Sequence, residues 1–178
     1  MTLDDITGAV VAFVRDHQAW AAPIVAVLAF CESLAFLSLL VPATVMLVGI
    51  GALLGGSGIG LDTAQFWVIC LSGAVGAALG DVLSYEIGRY YENGIRTMWP
   101  LSRSPALVGK AEDYVSRFGA WGIFLGRFFG PLRALVPVVG GAFGLPRWRF
   151  QLANVSSALI WSFGLLAPGA GLVAWLGT

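Results

Sequence analysis

One apolar segment, residues 119–146, constrains the fold of this chain more than any other. It contains two arginines, Arg127 and Arg133, and is interrupted by glycines and by prolines such as Pro131 and Pro137. Proline removes a backbone donor, so one straight helix is excluded. Even as continuous helix, 28 residues would reach only about 42 Å, too little to cross a bilayer core of about 30 Å twice. The pattern predicts a re-entrant hairpin, which enters and leaves by one face.

The composition indicates that this hairpin lies in lipid. The chain is 58% hydrophobic and 11% charged, with a mean hydropathy of +0.84, against about 45–50% and 25% in soluble domains. We therefore expect a polytopic membrane protein. Half of the ten basic residues lie within residues 89–117, and such clustering is typical of a cytoplasmic loop.

Residues 20–60 contain a single charge, Glu32. Pro42 should break a helix near the middle of this stretch, and the glycine-rich run at 55–60 should end it. Two tight spans or a second hairpin would both fit. The hairpin is favoured by analogy, since Glu32 precedes Pro42 by ten positions, just as Arg127 precedes Pro137.

Two spanning helices are predicted, one over residues 63–91 and one from Phe150 onward, where no further charge occurs. Each follows a hairpin, and each hairpin follows a short amphipathic helix, over 3–17 and about 105–118. An odd number of crossings between the copies would invert the second copy, as in transporters. We therefore predict an all-α, polytopic membrane protein built as an inverted repeat of amphipathic helix, re-entrant hairpin and transmembrane helix. The predicted boundaries, within a single membrane domain over 1–178, are repeat 1 at about 3–91, a cytoplasmic basic loop at about 92–104 and repeat 2 at about 105–176.

Glu32 is the strongest functional candidate in the first half, because ionisable groups at membrane depth are functional by default. It either holds the hairpin as a protonated or hydrogen-bonded group, or takes up protons or cations in a polar cavity. Asp81 lies closest to the apolar stretch among the charged residues at the end of the first span. Both are candidates for transport and proton coupling.

Arg127 and Arg133 are candidates for binding a lipid phosphate. A break at the glycine–proline pair between them would let both face one cavity. Guanidinium offers a planar fork of donors that suits phosphate, and it keeps its charge. The alternative is a structural ion pair to Glu32, Asp81 or Glu86, and the sequence leaves both interpretations open.

The last span carries a stripe at Asn154, Ala158 and Trp161 that is more typical of helix packing than of a ligand site. We expect the hairpins and their packing to depend on Pro42, Gly126, Pro131, Pro137, Asn154 and Trp161. No nucleophile–base arrangement or cluster of metal ligands stands out, so an enzyme, a cofactor and a metal site are not expected. The basic loop interleaves acidic residues, which favours anionic lipid over nucleic acid.

The second half resembles the DedA family, also known as SNARE-associated or VTT-domain proteins. The residues that carry this resemblance are Gly126, Arg127, Phe128, Pro131, Arg133, Pro137, Gly140, Gly141, Phe150, Asn154, Ala158 and Trp161. Glu32, Pro42, Gly80 and Asp81 add to it in the first half. One departure concerns a turn that is proline–glycine–aspartate in many members and is Pro42-Ala43-Thr44 here, without an acid.

The resemblance implies a lipid-handling protein, because bacterial relatives are linked to moving undecaprenyl phosphate or phospholipids and eukaryotic relatives resemble scramblases. We therefore expect flippase-like movement of a phosphate-bearing lipid across the bacterial inner (plasma) membrane, with proton coupling and homo-oligomerisation left open. The family's essential glutamate and paired arginines correspond to Glu32, Arg127 and Arg133. The alternatives are a proton- or cation-coupled exporter of a small solute and a non-catalytic membrane-organising scaffold.

Overall fold

The computed structural model describes residues 9, 12–14, 16–34, 43–91, 94 and 105–176. Every regular element among them is helical: a 3-10 turn at Gln18–Trp20, α1 (Ala21–Ser33), α2 (Ala43–Gly56), α3 (Ala64–Tyr91), α4 (Pro105–Gly126), α5 (Gly130–Ala142) and α6 (Arg147–Leu176). Pro42 and nearly all of the predicted loop at 92–104 lie outside the described residues. So does much of the predicted amphipathic helix at 3–17, of which residues 9, 12–14 and 16 are helical.

Two of these helices are long and apolar enough to cross a membrane. They are α3, with 28 residues, and the Arg147–Gly171 part of α6, with 25 residues. Both spans predicted from the sequence are thus present as candidate spanning helices. The remaining apolar helices are short, since α1, α2 and α5 contain 13, 14 and 13 residues.

As predicted, the segment over 119–146 does not form one straight helix. The backbone of α4 leaves the helical conformation at Gly119 (φ 52°, ψ −126°), next to the predicted helix end at 118. Residues 127–129 then form a turn, and α5 begins at Gly130 with Pro131 in its first turn. Pro137 lies inside α5, where it removes one helical hydrogen bond without ending the helix.

The two short helices α2 and α5 end in the same way. Gly58 and Gly144 follow them in the left-handed region, with φ of 77° and 67°. In each case the next amide donates to the carbonyl five residues earlier, over 2.9 Å for Ile59 and 3.0 Å for Leu145. This is the Schellman pattern, which favours glycine because a Cβ is disfavoured at positive φ.

Glycines bring the helices into close backbone contact. Helix α1 packs along α3, α2 packs on α6, and α5 packs on α3. A Cβ on Gly76 of α3 would collide with the backbone of α1, and a Cβ on Gly88 of α3 would collide with that of α5. On the other side, a Cβ on Gly51 of α2 would lie only 2.7 Å from the carbonyl oxygen of Leu166. Small residues at such crossings are typical of helices packed in lipid.

Within the part of the chain that the structure describes, the buried apolar residues form two separate clusters. The first joins α1, α2, the beginning of α3 and the second half of α6. The second joins the end of α3 with α4, α5 and the beginning of α6. The outer face of α3 exposes Val68, Leu71, Val75 and Leu79, as expected of a helix that contacts lipid rather than water.

Candidate functional site

Buried polar side chains lie between the two apolar clusters. On α3, Asp81 is flanked by Ala77 of the first cluster and Tyr85 of the second. On α6, the buried Asn154 and Ser157 likewise lie between residues of the second cluster and residues of the first. We call the following set the polar layer: Glu32, Asp81, Arg127, Arg133, Asn154 and Ser157. Five of them are buried, and Arg133 is half-buried.

Arg127 is held by three partners from the two long helices. Its Nη2 donates to a carboxylate oxygen of Asp81 and, over 2.6 Å, to Oδ1 of Asn154. Its Nε donates to the hydroxyl of Ser157 over 3.0 Å. Asn154 is fixed in turn, since its amide donates to the carbonyl of Ala78 over 3.0 Å. The guanidinium therefore joins α3 to α6 through a network of charge-assisted hydrogen bonds.

Arg133 has a different acidic partner. Its Nη1 donates to Oε1 of Glu32 over 2.7 Å, linking α5 to α1 across 101 positions. The hydroxyl of Thr44, at the beginning of α2, donates to the same carboxylate oxygen. On its other side, the guanidinium carbon of Arg133 lies 4.6 Å from the ring centre of Trp161 on α6, within the range of a cation–π interaction.

The local sequence explains how two arginines six positions apart reach this layer. Arg127 lies in the turn after α4, and Arg133 lies in the first turn of α5. Phe129 between them is extended (φ −107°, ψ 99°) and precedes the glycine–proline start of α5. Gly126 permits the tight return, because a Cβ there would lie only 3.0 Å from the side chain of Val136. The predicted break therefore brings both guanidinium groups into the polar layer.

Several buried atoms of the layer have no hydrogen-bond partner among the described residues. They are Nη1 of Arg127, Nε and Nη2 of Arg133, Oε2 of Glu32 and Oδ1 of Asp81. Buried polar atoms are normally paired. A site with unpaired guanidinium donors is chemically suited to an anion with several acceptor oxygens, and phosphate is such an anion.

The other residues singled out in the sequence have the following positions. Glu86, the third acid considered as a partner for the arginines, instead forms an exposed bidentate pair with Arg147 at 2.8 and 2.9 Å. Trp161 is buried, and its ring lies against the guanidinium of Arg133. Asn154 was expected only to pack between helices, but it also accepts a hydrogen bond from Arg127. Pro131 lies in the first turn of α5, as described above.

Sequence reasoning missed two residues of this site. Thr44 was noted only as a position without an acid, yet it binds Glu32. Ser157 lies next to the packing stripe of Asn154, Ala158 and Trp161 in the sequence, yet it binds Arg127. The available signal was weak, because a single hydroxyl in an apolar helix commonly bonds to the backbone of its own helix. Thr44 is distinguished only as the lone polar side chain of residues 43–54.

The candidate spans, the apolar outer surface and the buried charges together define a membrane protein. A sequence profile of the VTT domain matches residues 41–171. The chain therefore belongs to the VTT-domain family, also called the DedA family.

The chain is similar to several curated bacterial membrane proteins. It is 32% identical over 88% of its length to the inner membrane protein YabI of Escherichia coli (strain K12), of which it covers 60%. It is 29% identical, over 88% of its length and 59% of the relative, to the uncharacterized membrane protein BU139 of Buchnera aphidicola subsp. Acyrthosiphon pisum (strain APS). A shorter match, 37% identical over 48% of the chain and 39% of the relative, is to the inner membrane protein YghB of E. coli. The chain thus spans about 60% of the length of the first two relatives, and no solved structure matches it.

Proposed function

We propose that this protein moves a phosphate-bearing lipid across the bilayer in the manner of a flippase, without catalysing a chemical reaction. The observation that carries the proposal is the polar layer, in which two permanently charged guanidinium groups are buried between apolar clusters with donors left unpaired. A phosphate in hydrocarbon needs positive charge and several donors at once. Arg127 and Arg133 supply both, while the acyl chains stay in the surrounding lipid.

The short helices support an arrangement of two re-entrant hairpins related as an inverted repeat. At 1.5 Å per residue, α1, α2 and α5 extend about 20 Å each, which is less than a bilayer core of about 30 Å. The packing is reciprocal, because α2 of the first half packs on α6 and α5 of the second half packs on α3. The matching Schellman ends at Gly58 and Gly144 agree with this symmetry. In transporters built this way the site lies at the repeat interface.

Glu32 is the group that competes with the phosphate. Its carboxylate and a lipid phosphate would bind the same guanidinium, so release of Arg133 leaves a buried negative charge. Uptake of a proton by Glu32 would neutralise that charge, and a proton gradient could then drive the cycle. The other acid of the layer, Asp81, is already bound by Arg127. Since relatives are named inner membrane proteins, we place this cycle in the bacterial inner membrane in a multi-pass protein.

The test is lipid translocation in phosphatidylcholine vesicles that contain the full chain. The probes are fluorescent phosphatidylglycerol, a fluorescent short-chain polyprenyl phosphate, and fluorescent glucosylceramide, which has no phosphate. We expect the protein to accelerate one or both phosphate lipids but not the glycolipid. Arg127→Ala and Arg133→Ala should abolish this acceleration, whereas the exposed Arg147→Ala should retain it. Wild-type rates in both buried-arginine variants would refute the proposal.

The same vesicles separate the rival functions. Ion or solute flux under a pH gradient, without lipid movement, would favour a coupled exporter of a small solute. Neither flux nor lipid movement in correctly inserted protein would favour a scaffold.

A further inference from the structure

We infer that the two arginines have different tasks: Arg133 exchanges Glu32 for the lipid phosphate, while Arg127 is a fixed positioning residue that holds α3 and α6 together around the site. This inference rests on the proposed function and deepens it, because it identifies which side chain meets the substrate. Arg127 and Arg133 differ in burial, in the number of their partners and in the elements that carry them.

Arg127 has the features of a fixed residue. Its side chain is 2% exposed, and its three partners lie on both long helices. Two of these partners are themselves hydrogen-bonded to backbone carbonyls, Asn154 to Ala78 and Ser157 to Asn154. To leave this position, the guanidinium would have to break three charge-assisted hydrogen bonds in a dry environment. Such a group defines geometry rather than changing partners.

Arg133 has the features of a residue that changes partners. Its side chain is 11% exposed, and one of its three nitrogens, Nη1, is bonded to Glu32, while Nε and Nη2 have no partner among the described residues. It lies on a short helix that α3 and α4 support. Only one hydrogen bond has to be exchanged for a phosphate oxygen, and two further donors are available to the incoming anion.

Trp161 provides the surface on which this exchange takes place. The guanidinium lies over the indole ring at 4.6 Å, and the ring attracts the cation whether or not Glu32 is bound. Trp161 thereby holds Arg133 in the layer while its hydrogen bonds change. We regard Trp161 as a positioning residue for Arg133.

Paired neutral variants test the division of tasks. One double variant combines Asp81→Asn with Arg127→Gln. The matched variant combines Glu32→Gln with Arg133→Gln. Each loses one buried ion pair, and the net charge of the protein stays the same. In the vesicle assay with whichever of the two fluorescent phosphate lipids, phosphatidylglycerol or the polyprenyl phosphate, the wild type moves faster, the first should lose no more than about ten-fold in rate, since it loses fixed hydrogen bonds but no substrate contact. The second should fall to the rate of protein-free vesicles.

Each outcome has a distinct meaning. If the Asp81/Arg127 double variant inserts correctly and yet loses all transport, Arg127 also serves the substrate and the division of tasks is wrong, while the proposed function stands. If both double variants transport at the wild-type rate, the proposed function itself fails. A Trp161→Leu variant should slow transport, whereas Trp161→Phe should restore most of the rate, and equal rates in the two would refute the role of the ring.

Cysteine accessibility tests the inference even if the Asp81/Arg127 double variant does not fold. In a background that carries Cys31→Ser and Cys70→Ala, Arg133→Cys should react with a water-soluble methanethiosulfonate. Arg127→Cys should react at least about ten times more slowly, since its site is almost fully buried. Equal reaction rates in the two variants would overturn the inference.

Discussion

Thr44 donates a hydrogen bond to the carboxylate oxygen of Glu32. Nη1 of Arg133 donates to the same oxygen over 2.7 Å. Thr44 lies in the first turn of α2, at the position where the sequence lacks the acid expected from the family resemblance. A hydroxyl there stabilises the negative charge of Glu32 without adding a second one. Helix α1 therefore contributes one carboxylate to the site, and α2 contributes one neutral donor that binds it.

Removal of that hydroxyl should weaken transport without unfolding the protein. Thr44→Val keeps the shape of the side chain but loses the donor, and a single hydrogen bond to a charged group is worth about 1.5–3 kcal/mol. We expect a loss of about ten-fold or more in lipid translocation, as this energy implies. Thr44→Ser, which keeps the donor, is the matched control. A Thr44→Val protein as active as wild type would show that the hydroxyl is dispensable.

Two glycines of the long helices should respond oppositely to alanine. A Cβ on Gly88 would collide with the backbone of Val138 on α5, so Gly88→Ala should destabilise the protein by about 1–3 kcal/mol, as overpacking does. Gly164 on α6 has open space where an added Cβ would lie. Gly164→Ala should be neutral or stabilising, since alanine favours helix. Thermal unfolding in detergent measures both, and equal shifts would contradict the observed contact of α3 with α5.

The end of α5 should depend on the backbone conformation of Gly144. Its φ of 67° is disfavoured for a residue with a Cβ, at a cost of about 1–2 kcal/mol. Gly144→Ala should lower the unfolding temperature, and so should Gly58→Ala at the end of α2. Gly109→Ala serves as the control, because Gly109 lies within α4 with nothing close to an added Cβ. Unchanged stability in both glycine variants would be inconsistent with the Schellman ends.

The coupling role of Glu32 predicts a change in the response to pH. If a proton on Glu32 balances the loss of Arg133, an imposed pH gradient should speed wild-type translocation. Glu32→Gln mimics the protonated acid permanently, so it should transport slowly and without response to the gradient. Glu86→Gln, at the exposed pair with Arg147, should respond like wild type. A Glu32→Gln protein that still follows the gradient would assign coupling to another group.

The charged residues of the site could be found from the sequence, because an ionisable group in an apolar stretch is conspicuous. This signal identified four of them: Glu32, Asp81, Arg127 and Arg133. The glycine–proline pair predicted the break between the arginines, and the long uncharged stretches predicted both candidate spans. The pattern of turn residues also located the end of α2.

The pairing of those charges could not be found from the sequence alone. Which acid meets which arginine depends on how α5 packs on α3 and how α1 approaches α5, and hydropathy contains no information about either contact. The amino-acid sequence was equally compatible with ion pairs between the two arginines and Glu32, Asp81 or Glu86. The contribution of Thr44 was missed for the same reason, since its partner lies on a different helix.

The most direct test of the central claim is to find where a lipid phosphate contacts the protein. Vesicles that contain the full chain would receive a phosphatidic acid whose photoactivatable diazirine lies next to the phosphate, and the adducts would be mapped by mass spectrometry. We expect adducts in the first turn of α5 around Arg133 and on α6 around Trp161, reduced by excess polyprenyl phosphate and absent in Arg133→Ala. Adducts confined to outward-facing residues such as Val75 and Leu79 would contradict the claim that the phosphate enters the polar layer.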